Sequence, residues 1–176
     1  MSDDIGGATQ EAQAAIQRHR LKADNCIKSH VIAAMGVGMI PSFVIEVTGV
    51  TGIEVKMIRD LAEIYEFPVP HKLVAYKILI SVIGSILPFY LAARMRSAVK
   101  GLPLFGHVVY VSFLSATNGA AVYAVGKIFQ RHYESGGTFL SSNNSTIRSY
   151  FKERYEEGKQ LAPVFAEMPR AAQIDA

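Results

Sequence analysis

Few residues in this chain set a reactive side chain in apolar surroundings, and those few bound the chemistry it can carry. Glu46 stands inside Phe43-Val-Ile-Glu-Val47. A carboxylate there is costly to bury unless paired, so it suits either a proton-linked or ligand site or a helix end facing headgroups or water. His30 and His107 also stand among apolar residues, a setting more often met by a hydrogen-bonded core or interface histidine than by a ligand. Asn118 suits a hydrogen bond across a helix interface or to its own backbone. Cys26 is the single cysteine, which excludes an internal disulfide and suits a reducing compartment. No Glu-x-x-His, His-x-x-x-His or Cys-x-x-Cys occurs, so a metal centre would need ligands scattered through the fold. Gly36-Val-Gly38 follows no strand, and there is neither a Walker-type Gly-Lys-Ser/Thr nor a Gly-x-Ser-x-Gly elbow. The expectation is therefore no catalytic residue, no cofactor, no metal ligand and no enzyme.

The strongest pattern lies in hydropathy. Ile78–Ala93 (16 residues) and Gly101–Gly126 (26 residues) carry no charge and flank a basic segment holding Arg94, Arg96 and Lys100. As helices they would be roughly 24 Å and 39 Å long against a hydrocarbon core of about 30 Å. This predicts a membrane-inserted helical hairpin, spanning or re-entrant, with a buried core helix of a soluble bundle as the alternative. The positive-inside rule leaves topology open: Arg59, Lys72, Lys77, Lys127 and Arg131 flank the runs outside, against Arg94, Arg96 and Lys100 between them. Arg94, Arg96, Lys100, Lys127 and Arg131 are candidates for anionic headgroups, or equally for a solvated face. Within the second run Ser112, Ala116, Ala120 and Ala124 recur at i+4 beside Gly119, a ridge that lets another helix backbone approach closely.

The remaining segments read as helices too. Composition agrees with one domain: 50% of the 176 residues are hydrophobic and 19% charged. A net charge of +3 is too mild for nucleic acid. The acidic N-terminus lacks the basic and apolar regions of a signal peptide. Residues 1–10 are expected to be disordered, 11–159 to form a single helical domain, and 160–176 a flexible tail. Thr51-Gly-Ile-Glu54 has the form of a capping box opening an amphipathic helix with Ile53, Met57, Leu61 and Ile64 on one face and Lys56–Asp60 and Arg59–Glu63 on another. Phe67-Pro-Val-Pro70 ends it. Glu134-Ser-Gly-Gly137 is a C-cap and loop signal, and Ser141–Ser145 offers N-caps for a last helix over about 146–158 bearing Ile147, Phe151 and Tyr155. No segment keeps a period of two, so the expected class is all-α, a helical bundle with an apolar hairpin.

Three blocks carry a resemblance: Val31-Ile-Ala-Ala-Met-Gly-Val-Gly-Met-Ile-Pro41, Val50-Thr-Gly-Ile-Glu-Val-Lys-Met-Ile-Arg-Asp-Leu-Ala-Glu-Ile-Tyr65 and Tyr123-Ala-Val-Gly-Lys-Ile-Phe-Gln-Arg-His-Tyr-Glu-Ser-Gly-Gly-Thr138. They resemble the YcjF-like bacterial family over about Ala23–Lys159. The resemblance implies a membrane-associated helical domain of the kind found beside or fused to Era-like GTPases, with no catalytic residues to carry over. Glu46 and Glu54 stand where that pattern has Asp and Gln. The expected function is a non-enzymatic protein of the bacterial inner membrane, termini cytoplasmic, that binds lipids, self-associates and anchors or scaffolds a partner such as a GTPase. Lys56, Arg59, Arg148 and Lys152 are the candidate docking residues. A soluble regulator that buries the hairpin by oligomerisation and a small intramembrane carrier are the alternatives.

Overall fold

The computed structural model describes residues 2–40, 43–71 and 106–167. Among these are four α-helices and no strand: α1 (Ser2–Gly38), α2 (Phe43–Ile64), α3 (Gly106–Glu134) and α4 (Asn144–Glu167), with a short 3₁₀ turn at Phe139–Ser141. The first arm of the expected hairpin, Ile78–Ala93, lies outside the described residues, as do Arg94, Arg96 and Lys100.

α3 is the central element, packed on α1, α2 and α4. Its core face carries Leu114, Val122, Val125, Ile128 and Phe129, set against Ile27 and Val31 of α1, Met57, Ile58 and Leu61 of α2, and Phe151 and Tyr155 of α4. The expected stripe Ile147, Phe151 and Tyr155 is buried as its spacing implies. Small residues set the helix distances. A Cβ at Gly158 of α4 would lie 3.0 Å from Cα of Ala120, and one at Gly126 would lie 2.8 Å from Cγ1 of Ile27. The ridge residues Gly119, Ala120 and Ala124 thus serve packing inside one chain, while Ser112 is exposed and Ala116 half-buried.

Helix ends follow local chemistry. α2 closes in a Schellman motif: Phe67 N–H donates to Ala62 O (2.8 Å) and Glu66 N–H to Glu63 O (3.1 Å), with Glu66 at φ 55°. α3 closes the same way, through Gly137 N–H to His132 O (2.8 Å) and Gly136 N–H to Tyr133 O (3.0 Å), and there Gly136 supplies the positive φ without a Cβ penalty. Asn143 caps α4, its Oδ1 accepting from Ser145 N–H at 3.1 Å.

Several boundaries differ from the sequence expectation. Thr51 does not cap a helix: α2 begins eight residues earlier at Phe43, and Gly49 is pressed against Val37 of α1. Contact with α1 outweighs the weak helix propensity of Gly49, Thr51 and Gly52. α1 begins at Ser2, ahead of the Glu11 start that the apolar periodicity marks. α4 runs past Gly158 and through Pro163 to Glu167. Gly158 is a contact residue and not a stop, and Ala162 is fully buried against Gly119.

Of the expected membrane-inserted hairpin, spanning or re-entrant, only the part of the second arm from Gly106 onward lies in the described residues. Among the described residues no helix is long and apolar enough to cross a membrane. The second half of the uncharged run in α3, residues 114–126, is covered by the other three helices.

Candidate functional site

α1 and α2 lie antiparallel: Val37 meets Gly49 at one level and His30 meets Asp60 at another. Cys26 and His30 are four residues apart on α1 and so share a face. Their Sγ and Nδ1 are 3.7 Å apart. Asp60 reaches them from α2, with Oδ2 at 3.4 Å from His30 Nε2. One turn before Asp60, Lys56 donates to the same carboxylate oxygen. The cluster opens on a groove of about 760 Å³ that also exposes His19, Lys22, Asn25, Ser29, Glu63 and Glu66.

Hydrogen bonding orients the imidazole. Nδ1 lies 2.8 Å from the Cys26 carbonyl oxygen, an acceptor only, so Nδ1 carries the hydrogen. Nε2 faces the Asp60 carboxylate at 3.4 Å. Burial, then the Asp60 charge, push the Cys26 thiol up to about 12, with Lys56 opposing. At neutral pH the thiol keeps its proton and is no nucleophile unaided. The Lys56 ammonium is held above its usual range, chiefly by its hydrogen bond to Asp60.

The opposite side of α1 carries a polar seam to α3. Asp24 Oδ1 accepts from Lys127 Nζ (2.6 Å) and Gln130 Nε2 (3.1 Å), and Lys127 also donates to Gln130 Oε1 (2.9 Å). Glu134 Oε1 accepts from Arg20 Nε and Tyr65 OH, each at 3.1 Å. Lys127, expected at lipid headgroups, is thus engaged within the protein, whereas Arg131 is exposed. The docking candidates do not form one patch by shared contacts. Lys56 and Arg59 are on α2, the first bonded to Asp60 and the second half-buried with its Nε out of solvent, while Arg148 and Lys152 lie exposed on α4.

The bundle is polarised along its axis. Arg20 pairs with Glu134 at one end, and Gly38 packs on Ser115 at the other. The first end carries this ion pair. The second exposes Met39, Ile40 and Ile45 at the α1–α2 turn, and it is the end at which the uncharged run enters α3. Glu46 lies in the first turns of α2 and His107 in the first turn of α3, both at this end.

Sequence reasoning passed over the Cys26–His30–Asp60 cluster. The spacing Cys26-x-x-x-His30 was the available signal; Asp60 stands 30 residues away on another helix, and only the α1–α2 packing brings it near. Glu54, read as a capping residue, is 2% exposed on the buried face of α2, and burial pushes its carboxyl up to about 8.

No known family model matches the chain, and no comparison links it to YcjF-like proteins or GTPases. No solved structure matches it. Magnetosome membrane protein 22 of Magnetospirillum gryphiswaldense is 32% identical over 158 residues, covering 88% of this chain and 80% of that protein. At that identity and coverage, the chain belongs to the bacterial family of magnetosome membrane protein 22.

Proposed function

We propose that this protein is a non-enzymatic, membrane-associated helical protein that anchors or scaffolds a partner at a bacterial membrane. The observation that carries the reading is the polarity of the bundle. Met39, Ile40 and Ile45, each 44% or more exposed, crowd the end from which the uncharged run Gly101–Gly126 enters α3, while Arg20 pairs with Glu134 at the far end. An exposed apolar end continuous with an uncharged sequence is suited to lipid, and a charged end to an aqueous partner. The relative's description as a magnetosome membrane protein supports the same placement. The uncharged run Ile78–Ala93 and the cations Arg94, Arg96 and Lys100 supply the remaining lipid-binding sequence.

The partner is proposed to dock on the charged faces of α2 and α4, with a GTPase as the candidate that the YcjF-like resemblance suggests. The protein has no nucleotide-binding motif of its own. Isolated protein is therefore expected neither to bind nor to hydrolyse GTP in a filter-binding or phosphate-release assay. Charge reversal of Arg59 and Arg148 together should reduce partner recovery in an affinity pull-down from detergent-solubilised membranes and leave membrane residence unchanged. Stoichiometric GTP binding by the purified chain would overturn the scaffold reading. An unchanged pull-down profile would move the docking surface away from α2 and α4.

A further inference from the structure

We propose that Cys26, His30 and Asp60 form a binding site for a divalent transition-metal ion of the zinc class, clasping α1 to α2 with water in the fourth position. The three ligand atoms already lie within 4.8 Å of one another. A tetrahedral ion with nitrogen and oxygen bonds near 2.1 Å sets its N···O edge at about 3.4 Å. His30 Nε2 and Asp60 Oδ2 stand at 3.4 Å.

The surroundings fit ligation better than simple ion pairing. Nδ1 of His30 is fixed on the Cys26 carbonyl at 2.8 Å, which leaves Nε2 as the free donor and supplies the outer hydrogen bond that orients ligating histidines. A sulfur, an imidazole and a carboxylate together select a borderline ion such as zinc or cobalt over magnesium or calcium, which take oxygen ligands. The groove keeps the site open to solvent, so the ion has both a route in and room for a water ligand. Lys56 competes: its ammonium holds the Asp60 oxygen that the ion would take. The site rests on these side chains alone and does not depend on where in the cell the protein sits.

The test is a Co²⁺ titration of the reduced, full-length protein in detergent, followed by Zn²⁺. One equivalent of Co²⁺ should produce the visible bands of a four-coordinate ion and a thiolate-to-cobalt charge-transfer band, both erased by Zn²⁺ and untouched by Mg²⁺ or Ca²⁺. Cys26→Ser should lose the charge-transfer band. His30→Ala and Asp60→Asn should weaken Co²⁺ binding at least about tenfold, with helicity by circular dichroism retained. Lys56→Gln, which removes the competing ammonium and keeps all three ligands, should bind Co²⁺ more tightly, a gain that an unfolded variant cannot mimic. Absence of the charge-transfer band in the reduced wild-type protein would overturn the proposal. So would Co²⁺ affinity left unchanged by His30→Ala and Asp60→Asn.

Discussion

Replacing Glu54 with Gln should stabilise the protein at neutral pH and flatten its stability profile between about pH 5 and 8. The carboxyl is fully buried on α2, and burial is the cause that raises it from 4.5 to about 8. In the unfolded chain the group ionises near its ordinary value, so the unfolded state releases a proton that the folded state holds. The favourable contribution is therefore complete below about pH 4.5 and is lost progressively as pH rises through about 8. At 1.36 kcal/mol per unit, the loss by pH 7 is of order 3 kcal/mol. Gln keeps the shape and cannot ionise. Urea melts of wild type and Glu54→Gln across this range should give a difference that grows with pH, reaching about 1–3 kcal/mol in favour of the variant at pH 7. Parallel pH profiles would mean that the carboxyl ionises freely in the fold.

Overpacking the α3–α4 contact should cost nearly as much in the other direction. At Gly158 a Cβ would meet Cα and O of Ala120 at 3.0 and 3.1 Å, and backbone atoms inside a helix cannot step aside. Gly158→Val, or Ala120→Leu from the facing side, should destabilise by about 1–3 kcal/mol. That corresponds to a fall in melting temperature of roughly 2–12 °C. Gly52 gives the contrast: it lies exposed inside α2 with open space where a Cβ would go. Gly52→Ala should raise stability by about 0.5–1 kcal/mol. A melting temperature in Gly158→Val equal to wild type would show that α4 does not pack on Ala120.

Local signals were legible and long-range ones were not. The end of α2 before Pro68, the Gly136-Gly137 closure of α3 and the Ile147–Phe151–Tyr155 stripe depend on neighbours about one turn apart and are legible in the sequence, whereas Asn143 is one of five cap candidates that the sequence offers over Ser141–Ser145. The Thr51 cap failed because a capping pattern does not reveal whether the preceding residues already have a helix to pack on, and Val37 sits across from Gly49. Glu54 looked polar and terminal for the same reason. Lys127 looked available to lipid because Asp24 reaches it only across the α1–α3 seam. The uncharged character of Gly101–Gly126 was real, but an uncharged run whose small residues Gly119, Ala120 and Ala124 let helices approach packs against protein as readily as against lipid. The Cys26–His30–Asp60 cluster needed a tertiary contact and had only half a motif in the sequence.

Association with a membrane through an apolar end can be measured by fractionating cells that express the protein and washing the membranes first with high salt and then with alkaline carbonate. The protein should pellet with membranes and stay there through both washes, because apolar sequence and not charge alone holds it. Recovery of the intact protein in the soluble fraction, or its complete release by salt, would contradict it.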